Sequence, residues 1–222
     1  MARRQDLSVF DLENRTYTVA EWQAIERRTG ERFEYHRGHL LSVRLMAGGS
    51  PTHARIGGNV IYLLGDGLRN SALPERDPDF CGVYTSDLQV YVEKLGRYLY
   101  PDATIVCGEP IHDERVATAI VNPIVVIEVA SPSSVAYDSG VKFDYYSSLP
   151  SVRDYVIVSQ DDHIVEVRSR REAGGPWTFA FAKTRGAEVA IPAVDVLLPL
   201  TEVYRGVTFE GGDLEDEGAV VA

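Results

Sequence analysis

Residues 124–134 read IVVIEVASPSS, a β-branched run that ends in a Ser/Pro turn and holds one carboxylate, Glu128, among Val126, Ile127 and Val129. An apolar run of this length, closed by a turn signal, has the pattern of a strand buried on both faces of a sheet. An ionised carboxylate left unpaired in such a strand costs on the order of several kcal/mol. Glu128 therefore needs a partner: an arginine in a buried salt bridge, water at a strand end, or a divalent cation, which takes hard oxygen ligands.

Outward from this strand the pattern is mixed. Downstream, a helix is predicted from about Tyr137 to Leu149, stopped by Pro150, and RDYVIVS, HIVEVRSR and WTFAFAK read as three further strands. Upstream, CGVYTSDLQVYVE and GRYLYPDATIV read as strands with no helix between them. Earlier still, SPTHARIGGNVIYLLGDGLRN starts with a Ser cap and Pro51 and carries Ile56, Val60, Ile61, Leu64 and Leu68 on one helical face. RFEYHRGHLLSVRLM reads as a hairpin from Phe33 to Leu45 turning near Gly38, and YTVAEWQAIERRTG as a short amphipathic helix capped at Thr16 or Thr18. Helix, meander, helix, strand is the order of an α/β (α+β) fold, a β-sheet of mixed direction flanked by helices. At 222 residues the chain has room for one core. The expected division is an N-terminal arm at 1–16, a domain at 17–207 and an acidic, disordered tail at 208–222.

Composition narrows the function. Twenty-two basic against 33 acidic residues give a net charge of −11, which argues against a protein that coats nucleic acid through a general positive field. Any phosphate contact must be local. The sequence has neither a membrane-length apolar run nor the apolar core of a secretory signal near its start, so a soluble, cytoplasmic protein is expected. Cys81 and Cys107, far apart in sequence, are expected to be reduced, packed thiols.

Two further charges share the character of Glu128. In YLYPDATIV, Pro101 cannot donate to a ladder; a bulge in a continuous strand would re-aim Asp102, and the alternative is a plain turn between two short strands. Lys142 falls on the helical stripe of Tyr145, Tyr146 and Leu149, which starts its ammonium on the packed face; the alternative is an exposed pair with Asp138 four residues earlier.

A Pro-Asp, a Glu on a following strand and a nearby Lys together resemble the site of PD-(D/E)XK nucleases. More narrowly, the chain resembles the bacterial Uma-two family of restriction endonuclease-like proteins, also catalogued as a domain of unknown function, from about Tyr17 to Val207. The resemblance rests on RFEYHRGHLL, AGGSPTHARIGGNV, TSDLQV, YLYPDATIVCGE, VIEVASPSS, KFDYYSSLPSVRDYVIVSQD and TEVYRGV, in that order. It implies a metal-dependent endonuclease acting on DNA, with Mg2+ (or Mn2+) held by Asp102, Glu128 and the main-chain carbonyl of Val129. Glu34 would complete the acidic cluster or bind through water, and catalysis would involve Glu34, Asp102, Glu128 and Lys142. The superfamily's E-X-K lysine would fall at Ala130, which cannot serve; the resemblance implies that Lys142, on the following helix, replaces it. It also implies a homodimer, since two symmetric sites suit two-stranded cleavage. Two alternatives stay open: a catalytically inactive nuclease-like fold acting as a binding module, and a nuclease acting on RNA or nucleotides.

Four residues are weighed as nucleic-acid contacts or outer support. His53 and Arg55 stand near a helix N-terminus, where phosphate is favoured, or are capping and surface residues. Asp87 breaks its strand as Asp102 does and either supports the cluster or closes a turn. Ser131 contacts the site or, with Ser133, caps the next helix. Arg168, Arg170 and Arg171 form the densest basic patch and read as a solvated strand edge.

Overall fold

A computed structural model describes residues 15–43, 50–69 and 80–209 of the chain. The N-terminal arm and the acidic tail fall almost wholly outside the described residues. The end of the expected hairpin, from Arg44 to Leu45, also lies outside them.

Helix α1 (Val19–Thr29) starts at a reciprocal cap, in which the Thr18 side chain accepts the Glu21 N–H and the Glu21 carboxylate accepts the Thr18 N–H at 2.8 Å. Gly30, left-handed at φ 72°, ends it. Strands β1 (Phe33–His36) and β2 (His39–Ser42) are joined through Arg37 and Gly38, both with positive φ, as a two-residue turn matched to strand twist requires. The long helix α2 (Pro51–Arg69) carries Ile56, Val60, Leu64 and Leu68 on its buried stripe, and Ser50 Oγ accepts the His53 N–H at 3.0 Å.

The strands divide into two main sheets. With β4 (Gln89–Val92), β5 (Arg97–Leu99) and β7 (Ala119–Ile120), the hairpin forms a five-stranded sheet of order β2-β1-β5-β4-β7. The other sheet is built from β3 (Cys81–Thr85), β6 (Ala103–Cys107), β8 (Val125–Ala130), β9 (Asp154–Ser159), β10 (Val165–Ser169) and β11 (Thr178–Ala182). It has six strands in the order β11-β10-β9-β8-β6-β3, and only the β8–β9 pair is parallel. Strand β8 is central and buried along its whole length. Its alternate residues Val125, Ile127 and Val129 pack with Ile56, Val60 and Leu64 of α2. Val126 and Ala130 look the other way, onto Tyr146 of helix α3 (Phe143–Ser147) and onto Leu149 beyond it. The mixed sheet with helices on both faces is thus present, and its core explains the apolar run that predicts it.

The structure corrects several expectations. The run through Pro101–Asp102 is not a continuous strand: β5 ends at Leu99 in one sheet and β6 starts at Ala103 in the other. The run from Cys81 divides likewise, with β3 and β4 in different sheets. Apolar patterning could not show this, because the runs keep apolar residues on both sides of the point where the chain changes sheet. Cys81 and Cys107 are not free thiols; they are directly opposed in the antiparallel β3–β6 register and joined as a disulfide. Their separation in sequence says nothing of that cross-strand pairing. Arg168 and Arg170 are buried, not a solvated edge. Arg170 donates to the carbonyls of Val152, Ser147 and Leu149, closing the C-terminal end of α3, and Arg168 donates to Ser139 O at 2.6 Å. Strands β12 (Glu188–Ile191) and β13 (Val196–Pro199) pair as a hairpin that covers the α2 side of the core, with helix α4 (Leu200–Val203) following. No described helix is long and apolar enough to cross a membrane.

Candidate active site

The corner where the chain passes between the sheets gathers the charges. Glu128 projects from the α3 side of β8 and is 3% exposed. Asp102, just before β6, accepts the Val129 N–H at 2.7 Å on Oδ2, which fixes it beside the adjacent strand. Glu34 arrives from β1 in the other sheet: its Oε1 accepts the Tyr100 N–H at 3.4 Å and its Oε2 lies 3.0 Å from His36 Nε2. All three line one cavity of about 160 Å³, together with His53, Val129, Tyr137, Asp138 and Lys142.

Lys142 reaches this cavity from a π-helical turn (Tyr137–Lys142) that runs into α3. A π-turn has a wider repeat than an α-helix and is frequent at functional sites; here it brings Tyr137, Asp138 and Lys142 to one wall. Lys142 Nζ is 3.0 Å from Glu128 Oε2, 3.5 Å from Asp138 Oδ1 and 3.8 Å from Glu34 Oε1. The Tyr146 hydroxyl donates to the other Glu128 oxygen at 3.2 Å. Lys142 does pair with Asp138, but both are buried, so the packed-face expectation holds and the exposed pair does not.

The electrostatics show surplus negative charge. Burial pushes the Glu128 carboxyl well above the usual range; Lys142 opposes this, and Asp102, Asp138 and Glu34 add to it. Burial also raises Asp138, again against Lys142. Burial alone would lower the Lys142 ammonium, yet Glu128, Glu34 and Asp138 together hold it well above its ordinary value. His53 Nε2 stands 3.3 Å from Asp102 Oδ2, and the hydrogen bond to Asp102 is the chief reason its pKa is raised. Four carboxylates thus face one ammonium and the imidazoles of His53 and His36.

Among the described residues no three His, Cys, Asp or Glu groups already stand in a metal-binding arrangement. The donor chemistry nevertheless fits a hard divalent cation, since the acidic wall offers carboxylate oxygens and carries charge that Lys142 alone does not neutralise. Tyr137 lines the cavity, and its hydroxyl is buried without a hydrogen-bond partner among the described residues.

The remaining sequence candidates lie elsewhere. Arg55 is exposed on α2, beside Pro51 and Asn59. Asp87 is exposed in the β3–β4 turn and pairs with Arg32. Ser131 bonds to Ser133 and Ser134 within the turn, and it is Ser134 that lines the cavity. Sequence reading missed Tyr137, Asp138 and Tyr146 as part of the site, and His36 as the partner of Glu34. Asp138 carried a signal in its spacing from Lys142, and Tyr146 in sharing the helical stripe of Lys142; Tyr137 and His36 depend on the π-turn and on the approach of the second sheet.

Residues 19–198 match the model of the family described as "Uma2: Putative restriction endonuclease". The chain is 28% identical over 149 residues to the uncharacterized protein sll1609 of Synechocystis sp., covering 67% of this chain and 78% of that one. It is also 28% identical over 189 residues to slr1290 of the same organism, covering 85% and 92%. In fold it is similar to a crystal structure titled "a putative nuclease belonging to DUF820" from Anabaena variabilis, with a TM-score of 0.58 at 15% identity over 79% of this chain and 90% of that one.

Proposed function

Because the chain belongs to the Uma2 family, we propose that the cavity between its sheets is the centre of a metal-dependent endonuclease that hydrolyses phosphodiester bonds in DNA. The observation that carries this reading is the position of Lys142, whose ammonium is buried 3.0 Å from Glu128. In the E-X-K arrangement the lysine sits two residues after the glutamate, on the same strand face. Here that place is held by Ala130, packed against Tyr146, and Lys142 comes down over the same face from the π-turn.

Asp102 and Glu128, with the Val129 carbonyl, would hold Mg2+ or Mn2+, which when bound supplies Lewis-acid polarisation of the phosphoryl oxygen and a lowered pKa for water. Lys142 donates to the charge that builds on the phosphoryl oxygens in the transition state. Asp138 and Glu34, at 3.5 and 3.8 Å, keep that ammonium protonated and in place. Glu34, with one oxygen tied to His36, orients attacking water with the other. Hydrolysis breaks one P–O ester bond and leaves a phosphate and a hydroxyl end. Two copies acting as a homodimer would serve the two strands of a duplex.

The net charge of −11 favours a second reading, a nuclease-like fold that binds a partner without catalysis. Incubating wild type, Asp102→Asn and Lys142→Ala with duplex DNA, single-stranded DNA and RNA in Mg2+ or Mn2+ separates the two. Duplex cleavage by wild type alone is expected. No cleavage of any substrate, or cleavage undiminished in both variants, would overturn the nuclease reading; preferred cutting of RNA would move it to the other substrate class.

A further inference from the structure

A second cavity, about 950 Å³ against about 160 Å³ for the first, opens where β8 and β9 begin and β10 ends. Its wall includes Ile124, four residues or about 13 Å along the strand before Glu128. The two cavities therefore lie toward different ends of the six-stranded sheet. A volume of about 300–1,000 Å³ is that of small-molecule sites. The charges differ from those of the first cavity, since Arg153, Arg170 and Arg171 all line the wall. Arg170 is engaged with the carbonyls beneath α3, but the other two keep free donors. Arg153 donates through Nη1, to the carbonyls of Pro150, Ser151 and Val152; its Nε and Nη2 have no acceptor among the described residues and are not buried. Arg171 is exposed, and neither guanidinium has a carboxylate within ion-pair reach among the described residues. Of the two carboxylates in the wall, Asp154 is buried and accepts the Ala193 N–H at 2.7 Å, whereas Glu172 is exposed.

We propose that this cavity binds a small organic phosphate of nucleotide size, with its phosphate held by Arg153 and Arg171. A phosphate monoester carries about −1.5 to −2 charge at neutral pH, and its oxygens match the planar fork of a guanidinium. Two guanidinium groups without internal counter-ions answer that charge. Ile124, Pro176 and Pro192 give the same wall an apolar side for the organic body of the ligand. In a chain of net charge −11 such an anion needs a local positive site, and the two free arginines provide one. No metal takes part, so the inference stands apart from the nuclease reading.

Calorimetry on the metal-free protein at low salt, with AMP, adenosine and a short single-stranded oligothymidylate as probes, tests this. Wild type should bind AMP, and adenosine at least tenfold more weakly. Arg171→Gln loses no internal bond, so it should melt with wild type, yet bind AMP at least tenfold more weakly, the scale of a hydrogen bond to a charged group. Glu172→Gln, which removes a negative charge from the wall, should bind AMP more tightly than wild type. No AMP binding by wild type, adenosine bound as well as AMP, or equal AMP affinity in Arg171→Gln and wild type would overturn the inference. Oligothymidylate bound at least tenfold more tightly than AMP, and weakened by Arg171→Gln, would also overturn it by assigning the arginines to a nucleic-acid strand.

Discussion

Lys142 and Glu128 meet at 3.0 Å although one ends a π-helical turn and the other lies inside the central strand. The ammonium stands among Glu128, Glu34 and Asp138, drawn from three different elements. It is the internal cation of a site with more negative charge than it can neutralise.

Removing that cation isolates a buried carboxylate. Lys142→Met should destabilise the metal-free protein by about 3 kcal/mol at pH 8, the scale for breaking a buried ion pair. Adding Glu128→Gln should restore at least half of the loss in urea unfolding. The single variant should also bind Mn2+ more tightly than wild type, because a competing positive charge is gone.

Moving the lysine tests whether its origin matters. Ala130 shares the strand face of Glu128, and a lysine there would restore the superfamily spacing, at a packing cost of about 1–3 kcal/mol against Tyr146. Under the nuclease reading, Ala130→Lys added to Lys142→Ala should cut duplex DNA measurably faster than Lys142→Ala alone. Equal rates would show that the position on the π-turn is essential.

Arg170 should act on stability alone. Its guanidinium holds the carbonyls of Val152, Ser147 and Leu149 beneath α3. Arg170→Ala should cost about 2–3 kcal/mol by leaving these acceptors unpaired, with Mn2+ affinity unchanged by calorimetry.

Asp154 supplies a pH signature away from the site. Burial raises its pKa, against the hydrogen bond from the Ala193 N–H at 2.7 Å. A carboxyl raised on folding favours the folded state below its unfolded pKa, and that contribution is lost as pH rises through the folded value. Asp154→Asn should therefore gain melting temperature relative to wild type as pH rises from the acid range to neutrality, with the difference shrinking in acid.

Much of this architecture can be read from patterning, because β8 and α2 bury continuous or periodic apolar faces that only one kind of element satisfies. The division into two sheets cannot, since the runs through Ser86 and Pro101 stay apolar on either side of the crossing. The site shows the same contrast. Glu128, Asp102 and Lys142 stand out as charges in apolar surroundings, whereas Tyr137 looks like any half-buried aromatic until the π-turn places it. His36 is equally silent in sequence, because its role is set by Glu34 on its own strand and by Arg97 on β5.

Calorimetric titration of Mn2+ into the metal-free protein tests the account most directly. Wild type should bind, Asp102→Asn and Glu128→Gln should each lose at least tenfold in affinity, and Arg170→Ala should not. Absence of binding by wild type, or undiminished binding by both carboxylate variants, would contradict it.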